Sequence, residues 1–285
     1  MISIPIAVYN SLFEWQLDLF WHCHKKVYGR DAYHKTVAAI IERDTAGQAS
    51  QNIMSWQTDI PFRFCKPYFE HYNIASDFWL RPVNIQAGLE QLLNHFGSDQ
   101  LLELLDCDMC HIKAPANINV ADRVLLVDTV YEQWHLRALG ENSFIINDLL
   151  QSNTKTYYNG GFVPIIGRCS TFRLIMKDWV DFHRKIALML PAGDIKVWWA
   201  GMYSLQAACE KNKVKMVSKN MCYIPKANKL TPEHHIVHYS IDTDFNKKTF
   251  PVINLKTFPD DVFYKEVKIW VNEWNTKSPR QQVNL

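Results

Sequence analysis

Over the first hundred residues the apolar positions switch between two periods. Ile2 to Tyr9 is a short apolar run ending at Asn10-Ser11, as a buried strand would end, and Ser11 has the chemistry of a helix cap. From Leu12 to Tyr28 the residues Phe13, Leu17, Phe20, Trp21 and Val27 recur at helical spacing, and Gly29 follows as a stop. Thr36 to Ile41 predicts a second strand, and Pro82 to Phe96 a helix closed by Gly97. Gln100 to Leu105 predicts a third strand that runs into Asp106-Cys107-Asp108. Residues 45 to 80 are aromatic and irregular and support no assignment. Strand, helix, strand, helix, strand predicts an α/β fold built on a mostly parallel sheet, which gathers its ligands at the carboxyl ends of the strands.

Beyond Met109 the alternation loosens into short apolar runs, Val124 to Val127, Phe144 to Ile146 and Phe162 to Ile166. Two helices are expected at Phe172 to Leu190 and Lys196 to Lys211. A last helix is expected over Asp260 to Trp274, where Val262, Phe263, Val267, Trp270, Val271 and Trp274 form an apolar stripe. There is no repeat, low-complexity tract or linker that would split the chain. Residues 1–285 read as one domain, with an α/β part over 1–108, a second part over 109–245 and an extension over 246–285 that carries the terminal helix.

Composition narrows the function classes. With 48% hydrophobic and 21% charged residues in 285, the chain can bury a substantial core. Thirty-one Lys and Arg against 29 Asp and Glu leave a net charge of +2, too little for whole-molecule attraction to nucleic acid. The seven cysteines are an odd number and mostly scattered, which argues against a disulfide framework and for a reducing compartment. The N-terminus has no basic export region, and Glu14, Gln16 and Asp18 interrupt the apolar run that follows, so the expectation is a cytoplasmic protein with no transmembrane segment. Lys211, Lys213, Lys215, Lys219, Lys226 and Lys229 fall in a stretch without acids; this is a solvated face or a site of peripheral contact with a membrane or another anion.

Asp106 and Asp108, at the end of an apolar strand, would repel each other unless neutralised, and a divalent cation is a natural partner; a solvated loop is the plainer alternative. Cys107-Asp108-Met109-Cys110-His111 matches a covalent haem-attachment spacing, but there is no export signal. The other cysteines form no second pair for zinc either, so the thiols read as packing residues. Asn159-Gly160-Gly161 is a turn signal, and Asp194 before an apolar helix has the chemistry of a cap.

Three motifs occur in order: Asp106-Cys107-Asp108, then Tyr157-Tyr158-Asn159-Gly160-Gly161-Phe162-Val163-Pro164, then Ile236-Val237-His238-Tyr239-Ser240. With them the chain resembles the metal-dependent nucleotide-sugar glycosyltransferases of the GT-A fold, over roughly residues 2 to 240. The resemblance implies a Rossmann-like nucleotide-binding half over 1–108 and an acceptor-side half over 109–245. It implies that Asp108 and His238 bind Mn2+ or Mg2+, with Asp106 reaching the ribose or, through water, the metal; His234 and His235 are equally available as histidines. Val8, Tyr9 and Asn10 would receive the uracil of a UDP-sugar, with Asp44 beside them and Cys107 in the same wall. Arg81 would meet the diphosphate or sugar, or else be a solvated charge. Asn159, Gly160 and Gly161 would line the donor sugar and the glycan or glycoconjugate acceptor. Asp194 is the nearest carboxylate to the place where inverting members carry their base, so it is either that base or a helix cap. Two other functions compete. A sugar nucleotidylyltransferase would carry a Gly-rich basic first loop, which Val8-Tyr9-Asn10-Ser11 lacks, and a non-catalytic carbohydrate-binding protein could use some of the ten tryptophans.

Overall fold

The computed structural model describes residues 1–8, 11–41, 59–66, 80–116, 118–128, 144–151, 162–189, 200–225, 228–239 and 261–277. A seven-stranded sheet forms its centre, built from β1 (Ile2–Val8), β2 (Ala38–Ile41), β3 (Phe62–Cys65), β4 (Leu101–Asp106), β6 (Val124–Asp128), β7 (Phe162–Arg168) and β8 (Lys215–Lys219). Their spatial order is β3-β2-β1-β4-β7-β6-β8, and β7 alone of these seven runs against both its neighbours. A second sheet of three short strands, β5 (Met109–His111), β9 (Cys222–Tyr223) and β10 (Ile236–His238), has the order β5-β10-β9. The expected mostly parallel α/β sheet is present.

Helix α1 (Ser11–Tyr28) carries the crossover from β1 to β2, and α2 (Leu80–Leu93) precedes β4. Helices α3 (Cys169–Met189) and α4 (Ala200–Lys211) pack on each other, and α5 (Val262–Lys277) packs against α1. Strand alternation assigns the two faces. Ser3 of β1 faces Glu103 and His111 on the side of α1 and the small sheet. Ile6, Ala39 and Ile41 face α2, whose Gly88 comes so close that an added Cβ would lie 3.0 Å from the Ala39 Cβ. Helix α1 is buried nearly all round, with Leu17, Leu19, Phe20 and Trp21 at most 1% exposed, because it lies between the sheet and α5. The described tryptophans, Trp15, Trp21, Trp179, Trp270 and Trp274, are all core residues, so these five offer no exposed ring to a sugar.

Three departures from the sequence reading have physical causes. The second strand starts at Ala38 rather than Thr36. The Ser3 N–H donates to Lys35 C=O and the Val37 N–H to Ser3 C=O, so the next rung would need an N–H at residue 5, and Pro5 has none. The apolar run Phe144 to Ile146 opens a helix over 144–150, with Ile145, Ile146 and Leu149 buried on one side. Arg81, expected just before a helix, is the second residue of α2, and Pro82 sits in the first turn where its missing N–H breaks no helical bond.

Between α2 and α3, Gln86 Nε2 and His183 Nδ1 lie 2.6 Å apart in the core. Burial pushes His183 down from 6.5 to about 3. A folded-state value below the unfolded one means that stability is complete above pH 6.5 and falls as the pH drops below it, because the unfolded chain then binds the proton. At pH 5 this one group is expected to remove about 2 kcal/mol. Urea unfolding of wild type and His183→Gln at pH 7 and pH 5 checks it: the variant should lose about 2 kcal/mol less over that interval, and equal losses would assign the pH dependence elsewhere.

Candidate active site

Parallel strands β1, β2 and β4 end on the same edge of the sheet. Ile6 pairs in register with Asp106, and Val8 with Ile41, so the carboxyl ends of these strands form one wall. After Asp106 the chain turns through Cys107 and Asp108 and runs on as β5. Strand β10 pairs antiparallel with β5, His238 opposite Met109 and Ile236 opposite His111. The Tyr239 N–H donates to the Asp108 carbonyl at 3.2 Å, so this pairing puts the third motif against the first.

The side chains of Asp106, Asp108 and His238 converge there, with one ligand atom from each within 4.8 Å of the others. His238 Nε2 lies 3.3 Å from Asp108 Oδ1. Asp108 and His238 are 3% and 6% exposed, and Asp106 is half-buried and so faces outward most. The neighbouring histidines are engaged elsewhere: His234 Nε2 with Asn220 Oδ1 at 2.9 Å, and His235 Nε2 with Glu103 Oε1 at 2.8 Å. Two carboxylates with one imidazole are a donor set that could hold a divalent cation.

Cys107 turns away from this edge. Its Sγ donates to Gln16 Oε1 of α1 at 2.9 Å, which makes it a packing residue on the inner side of the turn. Cys110 packs against Cys23, and burial, reinforced by Cys23 and Asp108, pushes its thiol well up. His111 of the haem-like spacing is committed to Glu103 at 2.9 Å. Val8 is the last residue of β1, on the same edge as Asp106. Tyr9, Asn10, Asp44, Asn159, Gly160, Gly161 and Asp194 lie outside the described residues.

Two buried acids escaped the sequence reading. Asp128, at the end of β6, accepts the Met221 and Cys222 N–H groups at 2.8 Å each and so anchors the start of β9 beside β10. Its signal was present: Val124-Leu-Leu-Val-Asp128 repeats the strand-then-acid pattern of Leu101 to Asp106. Glu103 sits among leucines in the middle of β4, where a charge contradicts its surroundings, and that contradiction was the available signal.

The sequence matches no protein-family profile and no curated protein sequence. Solved structures do match. The bifunctional glycosyltransferase WbbM, in its apo form, has a TM-score of 0.54 at 7% identity, covering 97% of this chain and 50% of WbbM, so the chain spans about half of that protein. An active-site mutant of LgtC has a TM-score of 0.50 at 11% identity, covering 84% of this chain and 87% of LgtC. The galactosyltransferase LgtC in complex with donor and acceptor sugar analogs has a TM-score of 0.47 at 11% identity, covering 97% and 100%. The chain has the GT-A glycosyltransferase fold. Within that fold the Asp106, Asp108 and His238 group lies at the carboxyl edge of the parallel strands.

All seven cysteines are buried. Burial pushes the Cys110 and Cys222 thiols up, with Asp128 adding to the effect at Cys222. Native protein at pH 8 is therefore expected to react with an aromatic disulfide reagent at least about 100-fold more slowly than unfolded protein, in which all seven should titrate. A fast-reacting thiol in the native state would show that one of these side chains is reachable from solvent.

Proposed function

We propose that the protein is a metal-dependent glycosyltransferase that moves a hexose from a nucleoside-diphosphate sugar, UDP-sugar foremost, to a hydroxyl of a glycan, glycoconjugate or protein. The observation that carries this reading is the convergence of Asp106, Asp108 and His238 at the strand ends, and the glycosyltransferase fold agrees with it. Asp108 and His238 would hold Mn2+ or Mg2+, with Asp106 at the outer side toward the ribose or an ion-bound water. When bound, the ion supplies positive charge for a diphosphate that gains negative charge as it departs.

The rest falls to the chain. Val8, Tyr9, Asn10 and Asp44 are assigned to the nucleoside, and Arg81 to the anionic oxygens, for which its planar fork of donors is suited. Asn159, Gly160 and Gly161 are assigned to the donor sugar and acceptor, where small residues let substrate approach the backbone. In the transfer the bond from the anomeric carbon to the diphosphate oxygen breaks and a bond to the acceptor oxygen forms. The acceptor's proton goes to Asp194 in an inverting reaction and to the departing diphosphate in a retaining one. Among the described residues no helix is long and apolar enough to cross a membrane, and a lysine-rich stretch over 211–229 is assigned to peripheral contact with anionic surfaces.

Thermal melting with UDP, with and without Mn2+, tests the reading. At about 100-fold excess over Kd the metal-dependent rise should be about 5 °C or more. Asp108→Ala should abolish that rise while melting like wild type without ligands. A variant that keeps the full metal-dependent rise removes Asp108 from the site, and stabilisation by free glycans alone overturns the transferase reading. Asp194→Asn should lower turnover by about 100-fold or more with UDP binding retained if Asp194 is the base, since positioned bases contribute about that much. Wild-type turnover would leave Asp194 as a cap, a role Asn fills nearly as well.

A further inference from the structure

Three segments repeat one spacing. β4 carries Glu103 and Asp106, the turn into β5 carries Asp108 with His111 at the strand's end, and the approach to β10 carries His235 with His238 at the strand's end. One member of each pair belongs to the candidate metal group. The other three members meet around a single carboxylate. Glu103 Oε1 accepts from His235 Nε2 at 2.8 Å, and Oε2 accepts from His111 Nε2 at 2.9 Å and from Ser3 Oγ at 2.7 Å. Between the two ends run the backbone bonds of the β5–β10 pair, flanked by Ile112 N–H to His235 C=O at 2.9 Å and Tyr239 N–H to Asp108 C=O at 3.2 Å.

The Glu103 carboxylate is wholly buried, yet its His111 and His235 contacts outweigh the upward push of burial and hold it below the usual carboxylate range. Such a buried charged group gives little net stability, because its desolvation offsets its attractions and an apolar side chain would fill the space as well. What it supplies is direction, since each hydrogen bond fixes a distance and an angle that hydrocarbon contact leaves loose. His111 is confined from its other side by His24 Nδ1 at 3.2 Å and by the rings of Tyr28 and Phe20. Ser3, the register partner of Glu103, ties the carboxylate to β1.

We propose that Glu103 is a positioning residue for the metal centre: by joining His111 to His235 it fixes β5 against β10 and both against β4, and so sets the spacing of Asp106, Asp108 and His238. This rests on the metal-dependent reading above. Glu103 touches neither ion nor donor and acts through the strands. Partners that orient ligands typically carry about 10–100-fold of metal affinity, and here the orienting contact is made one step further back, on the strands that bear the ligands.

Three variants test it. Glu103→Leu removes the join and fills its space. Glu103→Gln restores one acceptor and one donor for the two imidazoles, which can change tautomer to suit. His235→Ala cuts only the tie to β10, and carries the comparison if Glu103→Leu does not fold. Two quantities are measured: hydrogen exchange at the Tyr239 amide in metal-free protein, referenced to amides of α4, and Mn2+ affinity from the paramagnetic resonance signal of free Mn2+. Glu103→Leu and His235→Ala should speed Tyr239 exchange by about 10-fold or more and weaken Mn2+ binding by about 10–100-fold, with Glu103→Gln within about 3-fold of wild type on both. Wild-type exchange and affinity in Glu103→Leu and His235→Ala overturn the positioning role alone. Absence of Mn2+ uptake by the wild type overturns the metal reading and this role with it.

Discussion

The pairing of β10 with β5 is the interaction on which the site depends. It joins residues 109–111 to residues 236–238, it lets His235 reach Glu103, 132 residues away in sequence, and it sets His238 beside Asp108. Backbone hydrogen bonds do not choose a register, and a slip of one residue would turn every side chain of a strand to its other face. Two strands of three residues each have few rungs with which to resist that slip. The register is held from outside: Glu103 grips the far end, the Tyr239 to Asp108 bond closes the near end, and Asp128 fixes β9 alongside.

Four acids in or just after the central strands β4 and β6 show how surroundings assign chemistry to one functional group. Asp128 is satisfied by two backbone N–H donors and is structural. Glu103 is satisfied by two imidazoles and a hydroxyl, in a place water does not reach. Asp106 and Asp108 share their space with one imidazole, and of the two it is Asp106 that faces outward. Like charges held this close favour a cation between them, which is why this pair, of the four, belongs to the candidate metal group.

Periodicity revealed the first half of the fold because β1, α1, α2 and β4 each bury enough residues to print a pattern on the sequence. Strand β3 left none: three of its four residues, including Phe62 and Phe64, are exposed at the edge of the sheet. Strands β5, β9 and β10 have two or three residues and are shorter than any period can register. The Asp106 and Asp108 pair was legible because it follows a buried strand. His238 was not separable from His234 and His235 by sequence alone, since what distinguishes the three is their partners: Asn220, Glu103 and Asp108. Glu103 stayed hidden inside a strand pattern that its leucine neighbours made convincing.

The long reach of β10 also bears on the order in which the molecule can assemble. Strands β1, β2 and β4 with helices α1 and α2 close over comparatively short stretches of chain, whereas β10 comes after β8, the last strand of the central sheet in the sequence, and reaches back to β5. Elements held by few rungs open more readily than the sheet they dock on. A chain with its central sheet complete and β10 undocked would have a core and Asp106 in place, yet would lack the histidine of the candidate metal group, so any metal binding by that group would follow the docking of the chain's later part and be lost when that part opens.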